Sequence, residues 1–312
     1  LALLLTPVLS ACATPTPTPA ATVTSPTATA PPRPATPTPT PTQTATGAPQ
    51  YGGVLTVLYA TQGPVTIGYP GMLNPGDSGN SLPALESLLE IDTVGKGNPR
   101  LATSFLTAPD GKSITFNLRK GVKFHDGTDF NAEAAKFNLT NRMAEASELA
   151  GVTSVDIIDD YTIRLNLKEA DNMVLPTVAT TAGMQASPTG IKTNGKDWAR
   201  NNPVGTGPFK FVNFQPKASL TYQRFDGYWQ KGKPYLDGLK LLYIGDSTTA
   251  QLAFQNNEGQ MMSSNPKAAN DLRGKPGITV KAAFVSGNSS LFPDSKNADS
   301  PFSNKSVREA VE

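Results

Sequence analysis

Apolar and polar residues alternate strictly along the segment 113–119. Ile114, Phe116 and Leu118 fall on one side of an extended chain, and the polar residues between them fall on the other. This period of two is typical of a half-buried strand. Other β-prone runs, each bounded by turn residues, predict further strands and hairpins in the ranges 51–59, 155–167, 209–224 and 239–244.

Apolar residues at helical spacing and capping residues predict helices between these strands. A run of leucines favours a short helix over Ser81–Ile91. The other predicted helices begin at capping residues: one at Asn131, one at Asp246 or Ser247 with its end at Gly259, and one at Ser303 or Asn304. Strands and helices are mixed without strict alternation, so the pattern predicts an α/β fold of the mixed α+β kind, with mixed sheets.

The start of the chain carries a different signal. Residues 1–12 are mostly apolar but too few to cross a bilayer as a helix. They resemble the end of a secretory signal peptide, and the run from Leu9 to Cys12 resembles a bacterial lipobox. We therefore expect a partial lipoprotein signal peptide in which Cys12 becomes the acylated N-terminus. An ordinary cleavage site followed by an unrelated cysteine is the alternative.

Residues 13–50 have the composition of a tether. They contain 11 Pro, 13 Thr and 8 Ala, and Arg33 is their only charged residue. Such a segment lacks the apolar side chains for a core, and its prolines favour extended polyproline II. At about 3.1 Å per residue it reaches roughly 100 Å. We expect a disordered Pro/Thr-rich tether that holds a domain away from a membrane surface.

Charge and residue counts exclude several classes of function. The net charge is +2, and no basic run is interleaved with aromatic residues, which argues against nucleic-acid binding. With His125 as the only histidine and Cys12 as the only cysteine, the chain has neither a metal-binding cluster of these residues nor an internal disulfide. No G-x-S-x-G motif is present. His125 is therefore predicted to be a structural residue before an Asp126-Gly127 turn, and we expect no cofactor, metal or catalytic residue.

The segment around His125 resembles a known family. Residues Phe116–Glu133 closely resemble the signature of the family 5 extracellular solute-binding proteins, the peptide- and nickel-binding receptors of ABC importers. Three further segments resemble blocks of that family in the same order along the chain: Asn202–Lys210, Tyr228–Asp237 and Pro301–Ala310.

This resemblance implies a fold. It is the periplasmic-binding-protein-like type II fold of cluster C, in which two lobes close on a ligand like a clamp. Residues 51–312 correspond to lobe I, with an inserted subdomain at about 80–195, and they enter lobe II at about 303–312. The resemblance thus implies a chain truncated at both ends, without its second lobe, that binds solute only weakly by itself.

The implied function is that of a lipid-anchored substrate-binding protein of an ABC importer. Its solute would be a small molecule, most simply a short peptide, and its partners would be the permease and ATPase subunits. The protein would be a monomer on the outer face of the cell membrane. Two alternatives from other classes remain, an exported surface module and a hydrolase, each carried on the Pro/Thr-rich linker.

The resemblance also implies which residues border the ligand on lobe I. The loop after the first strand and the loop before Ser187 face the cleft in this family. They correspond here to Tyr59 and Gln62, and to Thr181 and Met184. Tyr59 and Met184 suit apolar contact, and Gln62 suits a peptide main chain. The simpler interpretation of each residue is ordinary loop packing.

Overall fold

The computed structural model describes residues 49–92, 96–263, 265–281 and 299–309. Its strands are, in chain order, β1 (Val54–Tyr59), β2 (Glu86–Ser87), β3 (Leu89–Ile91), β4 (Gly97–Pro99), β5 (Ala102–Thr107), β6 (Ser113–Leu118), β7 (Val152–Asp159), β8 (Thr162–Leu167), β9 (Met184–Gln185), β10 (Phe209–Gln215), β11 (Ser219–Arg224), β12 (Gly238–Tyr243) and β13 (Met261–Ser263). Its α-helices are α1 (Ser78–Ser81), α2 (Ala132–Glu145), α3 (Val174–Val178), α4 (Pro188–Asn194), α5 (Lys196–Asn201), α6 (Ser247–Gln255), α7 (Pro266–Leu272) and α8 (Lys305–Glu309).

The larger sheet mixes parallel and antiparallel strands. Its order is β10-β11-β12-β1-β13, and β1 runs parallel to both β12 and β13. Strands β10 and β11 form a hairpin that pairs antiparallel with β12. The apolar core on this sheet includes Val57, Leu220, Tyr222 and Leu241. The sheet therefore brings the carboxyl ends of three parallel strands to one edge.

The smaller sheet is antiparallel throughout, with the order β5-β6-β8-β7. Helix α2 packs against it, and Phe116, Phe130 and Leu139 are fully buried in their shared core. The helix begins at Asn131, whose side chain accepts a hydrogen bond from the Ala134 amide at 3.0 Å. This sheet lies within the range 80–195, where an inserted subdomain is predicted.

The structure confirms the strand predictions and most of the helix starts. The strand at 113–119 and the hairpins at 155–167 and 209–224 are present. Asn131 and Asp246 cap α2 and α6 as predicted, and the Asn304 side chain accepts from the Ser306 amide at the start of α8.

The helix predicted over Ser81–Ile91 is wrong. Only Ser81 is helical, as the last residue of α1, and the residues after it form the short strands β2 and β3. Leu85, Leu88 and Leu89 are fully buried, whereas Leu82 is exposed, so the leucines do not share one helical face. A short apolar run does not distinguish a helix from a buried strand, and tertiary contacts decide here.

Helix α6 ends earlier than predicted, at Gln255 rather than at Gly259. Asn257 takes the left-handed conformation (φ 63°) that ends the turn. Gly259 has a packing role instead, because a Cβ atom there would lie 2.7 Å from Cγ of Leu58. Gly259 therefore leaves room for the Leu58 side chain of strand β1 and does not end the helix.

The predictions for the N-terminal part fall mostly outside the described residues. Cys12 and the tether lie there, apart from Pro49 and Gln50, which are exposed. Within the described ranges, no helix has the length and apolar character needed to span a membrane.

The fully buried carboxylate of Glu86 connects segments that are distant in the sequence. It accepts hydrogen bonds from Thr206 Oγ1 at 2.9 Å, Tyr228 Oη at 2.8 Å and Trp229 Nε1 at 2.9 Å. Arg100 Nη2 lies 3.0 Å from the same carboxylate. A buried charge requires such pairing because its desolvation costs several kcal/mol. Glu86 thus fixes β2, the loop before β10 and the segment around residue 228 relative to one another.

His125 links its turn to the loop 202–208. Its Nδ1 accepts from the Gly205 amide at 3.3 Å, and its Nε2 donates to the Gly207 carbonyl at 2.9 Å. Both bonds require the neutral ring with its proton on Nε2. Burial, with a smaller contribution from Lys210, lowers the pKa of His125 to about 4. The histidine has the structural role that the sequence predicts.

The glycines of the same loop allow close backbone packing. A Cβ atom on Gly205 would lie 2.0 Å from the Ala84 carbonyl oxygen, and one on Gly207 would lie 2.5 Å from the Pro83 carbonyl oxygen. The Gly207 amide donates to the Ala84 carbonyl at 2.9 Å. The loop 202–208 thus packs directly on the segment that leads into β2.

We expect His125 to make the protein sensitive to acid. The unfolded chain binds a proton at His125 near pH 6.5, whereas the folded protein binds it only near pH 4. The free energy of unfolding therefore falls between these pH values, by on the order of 3 kcal/mol from this group. Chemical denaturation of the wild type and His125→Gln at pH 7, 5.5 and 4 measures the difference. A ring-proton NMR titration of the untagged protein, which has one histidine, checks the pKa directly. A midpoint near 6.5, or equal pH slopes for both proteins, would contradict this account.

We expect Gly205→Ala to destabilise the protein by about 1–3 kcal/mol, because the added methyl group overlaps the Ala84 carbonyl. Gly79→Ala is the matched control, since no atom lies within 4 Å of its Cβ position and the residue is helical. The control should be neutral or stabilising by about 1 kcal/mol. Urea midpoints measure both, and equal midpoints for the two variants would refute the close packing.

Candidate functional site

The carboxyl ends of the parallel strands form the candidate site. Tyr59 ends β1, and it lies beside Tyr243 at the end of β12 and Ser263 at the end of β13. Ligands of open α/β sheets bind in the crevice outside the carboxyl ends of the strands. The loops that follow these strands therefore supply the candidate binding residues.

A group of tyrosines and one asparagine shapes this edge. The rings of Tyr59 and Tyr243 are 5.9 Å apart. Tyr243 Oη donates to Asn80 Oδ1 at 2.9 Å, and Tyr222 Oη donates to the Asn80 carbonyl at 2.7 Å. Burial raises the pKa of Tyr59 and of Tyr243, so these rings remain neutral phenols at physiological pH. They offer aromatic surface and hydrogen bonds but no charge.

Asp77 adds a carboxylate close to these rings. Burial raises its pKa, and a hydrogen bond from the Val65 backbone opposes that effect. Its charge in turn contributes to the raised pKa of Tyr243, after burial and Tyr59. The hydrogen bond from Tyr243 to Asn80, three residues after Asp77, ties this segment to the end of β12.

Gln62 lies on the same edge. It is exposed, and its amide rests against Gly245 in the turn after β12, where a Cβ atom would be 2.2 Å from Gln62 Nε2. Gly63 packs against the ring of Tyr243 in the same way, since a Cβ atom on Gly63 would lie only 2.8 Å from that ring. The structure therefore brings two of the predicted ligand contacts, Tyr59 and Gln62, to one edge.

The other two predicted contacts pack against the buried part of the loop after β1 rather than at the strand ends. Thr181 begins a 3-10 turn, and Met184 begins β9, where it pairs with Ser87. Both side chains are buried, at 1% exposure each. Met184 belongs to an apolar cluster with Tyr69 and Leu85, and the Thr181 hydroxyl has no hydrogen-bond partner. As ligand contacts, all four residues remain predictions.

Sequence analysis did not single out two exposed apolar residues of the loop after β1. Val65 is 78% exposed and Met72 is 42% exposed, although the residues between them are buried. No periodic pattern marks either residue, because the loop has no regular structure beyond a short 3-10 turn at Pro70–Met72.

Two surface cavities lie elsewhere. One of about 460 Å³ runs between α2 and α4, and one of about 150 Å³ lies beside His125 and Trp198. None of the four predicted contacts lines either cavity. Among the described residues, no group of three or more His, Cys, Asp or Glu is arranged to hold a metal ion.

Comparisons with known proteins agree on one family. The profile of the bacterial extracellular solute-binding proteins, family 5 middle, matches residues 96–312. The glutathione-binding protein GsiB of Shigella flexneri is 30% identical over 239 residues, which are 72% of this chain and 45% of that protein. The chain thus spans less than half the length of this curated relative.

Solved structures show the same fold. The binding protein AgaA of A. tumefaciens R10, in complex with agropinic acid, has a TM-score of 0.65 and 26% identity over 72% of this chain and 46% of that chain. The binding protein DppA of Helicobacter pylori, in complex with the peptide STSA, has a TM-score of 0.63 and 25% identity over 73% and 50%. The mixed α/β fold is therefore that of the type II periplasmic binding proteins, as the sequence predicts. The chain belongs to family 5 of the bacterial extracellular solute-binding proteins, the solute-binding proteins of ABC transporters.

Proposed function

We propose that the protein captures a short peptide outside the cell and delivers it to the permease and ATPase subunits of an ABC importer. The family match over residues 96–312 carries the general part of this proposal. The peptide is supported by two relatives: one is named for glutathione, a tripeptide, and another is bound to the peptide STSA. The protein binds its solute and does not convert it.

The candidate site suits a ligand of this kind. Neutral phenol rings at Tyr59 and Tyr243 and the amide of Gln62 border one edge, and the loop after β1 exposes the apolar residues Val65 and Met72. A peptide offers both main-chain hydrogen-bonding groups and apolar side chains, and a mixed surface complements it. We propose Tyr59, Gln62, Thr181 and Met184 as its contacts.

We expect the full-length protein to bind a short peptide with micromolar affinity. Calorimetry with glutathione, Ser-Thr-Ser-Ala and agropinic acid compares the ligands of the relatives. A peptide at 100 times its Kd should stabilise the fold by about 2.7 kcal/mol, visible as a rise in melting temperature. Binding of agropinic acid alone would contradict the peptide specificity, and binding of none of the three would contradict the proposal.

Variants at the two ends of β1 provide a matched control. Tyr59→Ala and Gln62→Ala should weaken binding, whereas Tyr51→Ala, which removes an exposed tyrosine at the other end of the strand, should not. Thr181→Val removes the unpartnered hydroxyl and Met184→Ala removes the apolar side chain, with the melting temperature measured beside affinity because Met184→Ala leaves a cavity. Unchanged affinity in any of these four site variants removes that residue from the proposed contacts.

We also propose that Cys12 anchors the protein to the outer face of the membrane, supported by its lipobox-like context and the Pro/Thr-rich segment after it. The diacylglyceryl group of a lipoprotein provides two acyl chains, which anchor stably where one chain does not. Cys12→Ser, expressed behind a bacterial lipoprotein signal sequence as for the wild type, should move the protein from the detergent phase to the soluble fraction. Equal membrane partitioning of variant and wild type would exclude the anchor.

A further inference from the structure

A buried arginine holds the loop that follows β1. Arg142 lies near the end of α2 and is 2% exposed. Its Nη1 donates to the carbonyls of Pro70 and Leu73, each at 2.9 Å, with a longer contact of 3.4 Å to the Gly71 carbonyl. Its Nη2 pairs with the Glu148 carboxylate. One guanidinium thus satisfies carbonyls of an irregular loop that has no strand partner.

This loop is packed like a core segment although it lacks regular structure beyond a short 3-10 turn. Residues 66–73 are buried, with the single exception of Met72. The amides of Ile67 and Gly68 both donate to the Arg200 carbonyl, at 2.8 and 2.9 Å. A Cβ atom on Gly68 would lie 2.1 Å from the Ala199 carbonyl oxygen. These contacts therefore hold the main chain of residues 66–73 in one conformation. Met72 is the residue of this segment whose side chain is exposed.

The same loop reaches the carboxyl edge of the larger sheet. Near the start of the loop, the Cβ position of Gly63 lies 2.8 Å from the ring of Tyr243, and just after its end Tyr243 Oη donates to Asn80 Oδ1 at 2.9 Å. Thr66 Oγ1 donates to the Met72 carbonyl at 3.4 Å, which joins the start of the buried segment 66–73 to Met72. Movement of the Pro70–Leu73 turn would therefore move Met72 relative to that edge.

We propose that Arg142 is a positioning residue for solute binding, which fixes the Pro70–Leu73 turn so that Met72 contacts an apolar part of the bound peptide. This proposal rests on the proposed function. Arginine suits the role because its planar fork reaches several carbonyls and a carboxylate at once, whereas a lysine ammonium is a single point of charge. Arg142 does not touch the ligand and acts through the loop.

The test compares Arg142→Lys with one control in the full-length protein. Arg164→Lys alters an arginine paired with Asp156 on the smaller sheet, away from the loop. Met72→Ala removes the outward side chain itself, whose exposure makes a loss of stability small. Hydrogen exchange at the Met72 amide, which donates to the Tyr69 carbonyl, reports on the turn without any ligand.

Arg142→Lys should speed exchange at the Met72 amide about tenfold and weaken binding of Ser-Thr-Ser-Ala and glutathione about tenfold. Both quantities are measured at a temperature well below the melting temperature of the variant. Met72→Ala should weaken binding with exchange and melting temperature unchanged. Arg164→Lys should stay within about twofold of the wild type in exchange and affinity.

Two outcomes overturn the proposal. Faster exchange with unchanged affinity in Arg142→Lys shows that the turn does not matter for binding, and unchanged exchange shows that the arginine does not hold it. If the wild type binds neither peptide, the peptide specificity fails separately. Hydrogen exchange then tests by itself whether Arg142 holds the Pro70–Leu73 turn. A tenfold rise in the exchange rate of the Met72 amide supports this role, and an unchanged rate refutes it.

Discussion

Burial of the Glu86 carboxylate imposes the strongest constraint on this fold. An ionised carboxylate in an apolar interior is stable only when donors surround it, and here they come from Arg100, Thr206, Tyr228 and Trp229. These residues lie up to 143 positions away along the chain. The loop before β10 and the segment after β11 must therefore converge on β2. The short strands that replace the predicted helix are a consequence, since an extended chain turns Glu86 toward its donors.

The sequence predicts elements whose pattern can be recognised locally. The alternation at 113–119 and the cap at Asn131 are visible within a few residues, although the strand itself pairs with the distant β8, and both predictions are confirmed. The leucines after Ser81 were misread because their environment is set by Glu86 and by pairing with β9. Gly259 was misread for the same reason, since its small size serves strand β1 rather than its own helix.

The candidate site was only partly predictable. Family resemblance indicated Tyr59 and Gln62, and the structure places both at the carboxyl edge of the larger sheet. It did not indicate Met72 or Arg142, because the contact that matters joins residues 72 positions apart and has no local pattern. Met184 and Thr181 were chosen by the same resemblance, yet their side chains are buried. Resemblance identifies loops more reliably than it identifies which side chains of a loop are accessible.

The way the loop after β1 is held determines what it can contribute to binding. Its carbonyls are fixed by Arg142 and its amides by the Arg200 carbonyl, so its main-chain entropy is lost when the protein folds. A surface ordered in advance does not lose that entropy again when a ligand arrives, which favours affinity. It also has little freedom to rearrange around different ligands. In the proposed function, selectivity at this edge therefore depends on the side chains that the rigid loop exposes, an amide at Gln62 and apolar groups at Val65 and Met72. A peptide can contact both kinds of group, because its main chain can hydrogen-bond to the Gln62 amide while an apolar side chain packs against Val65 or Met72.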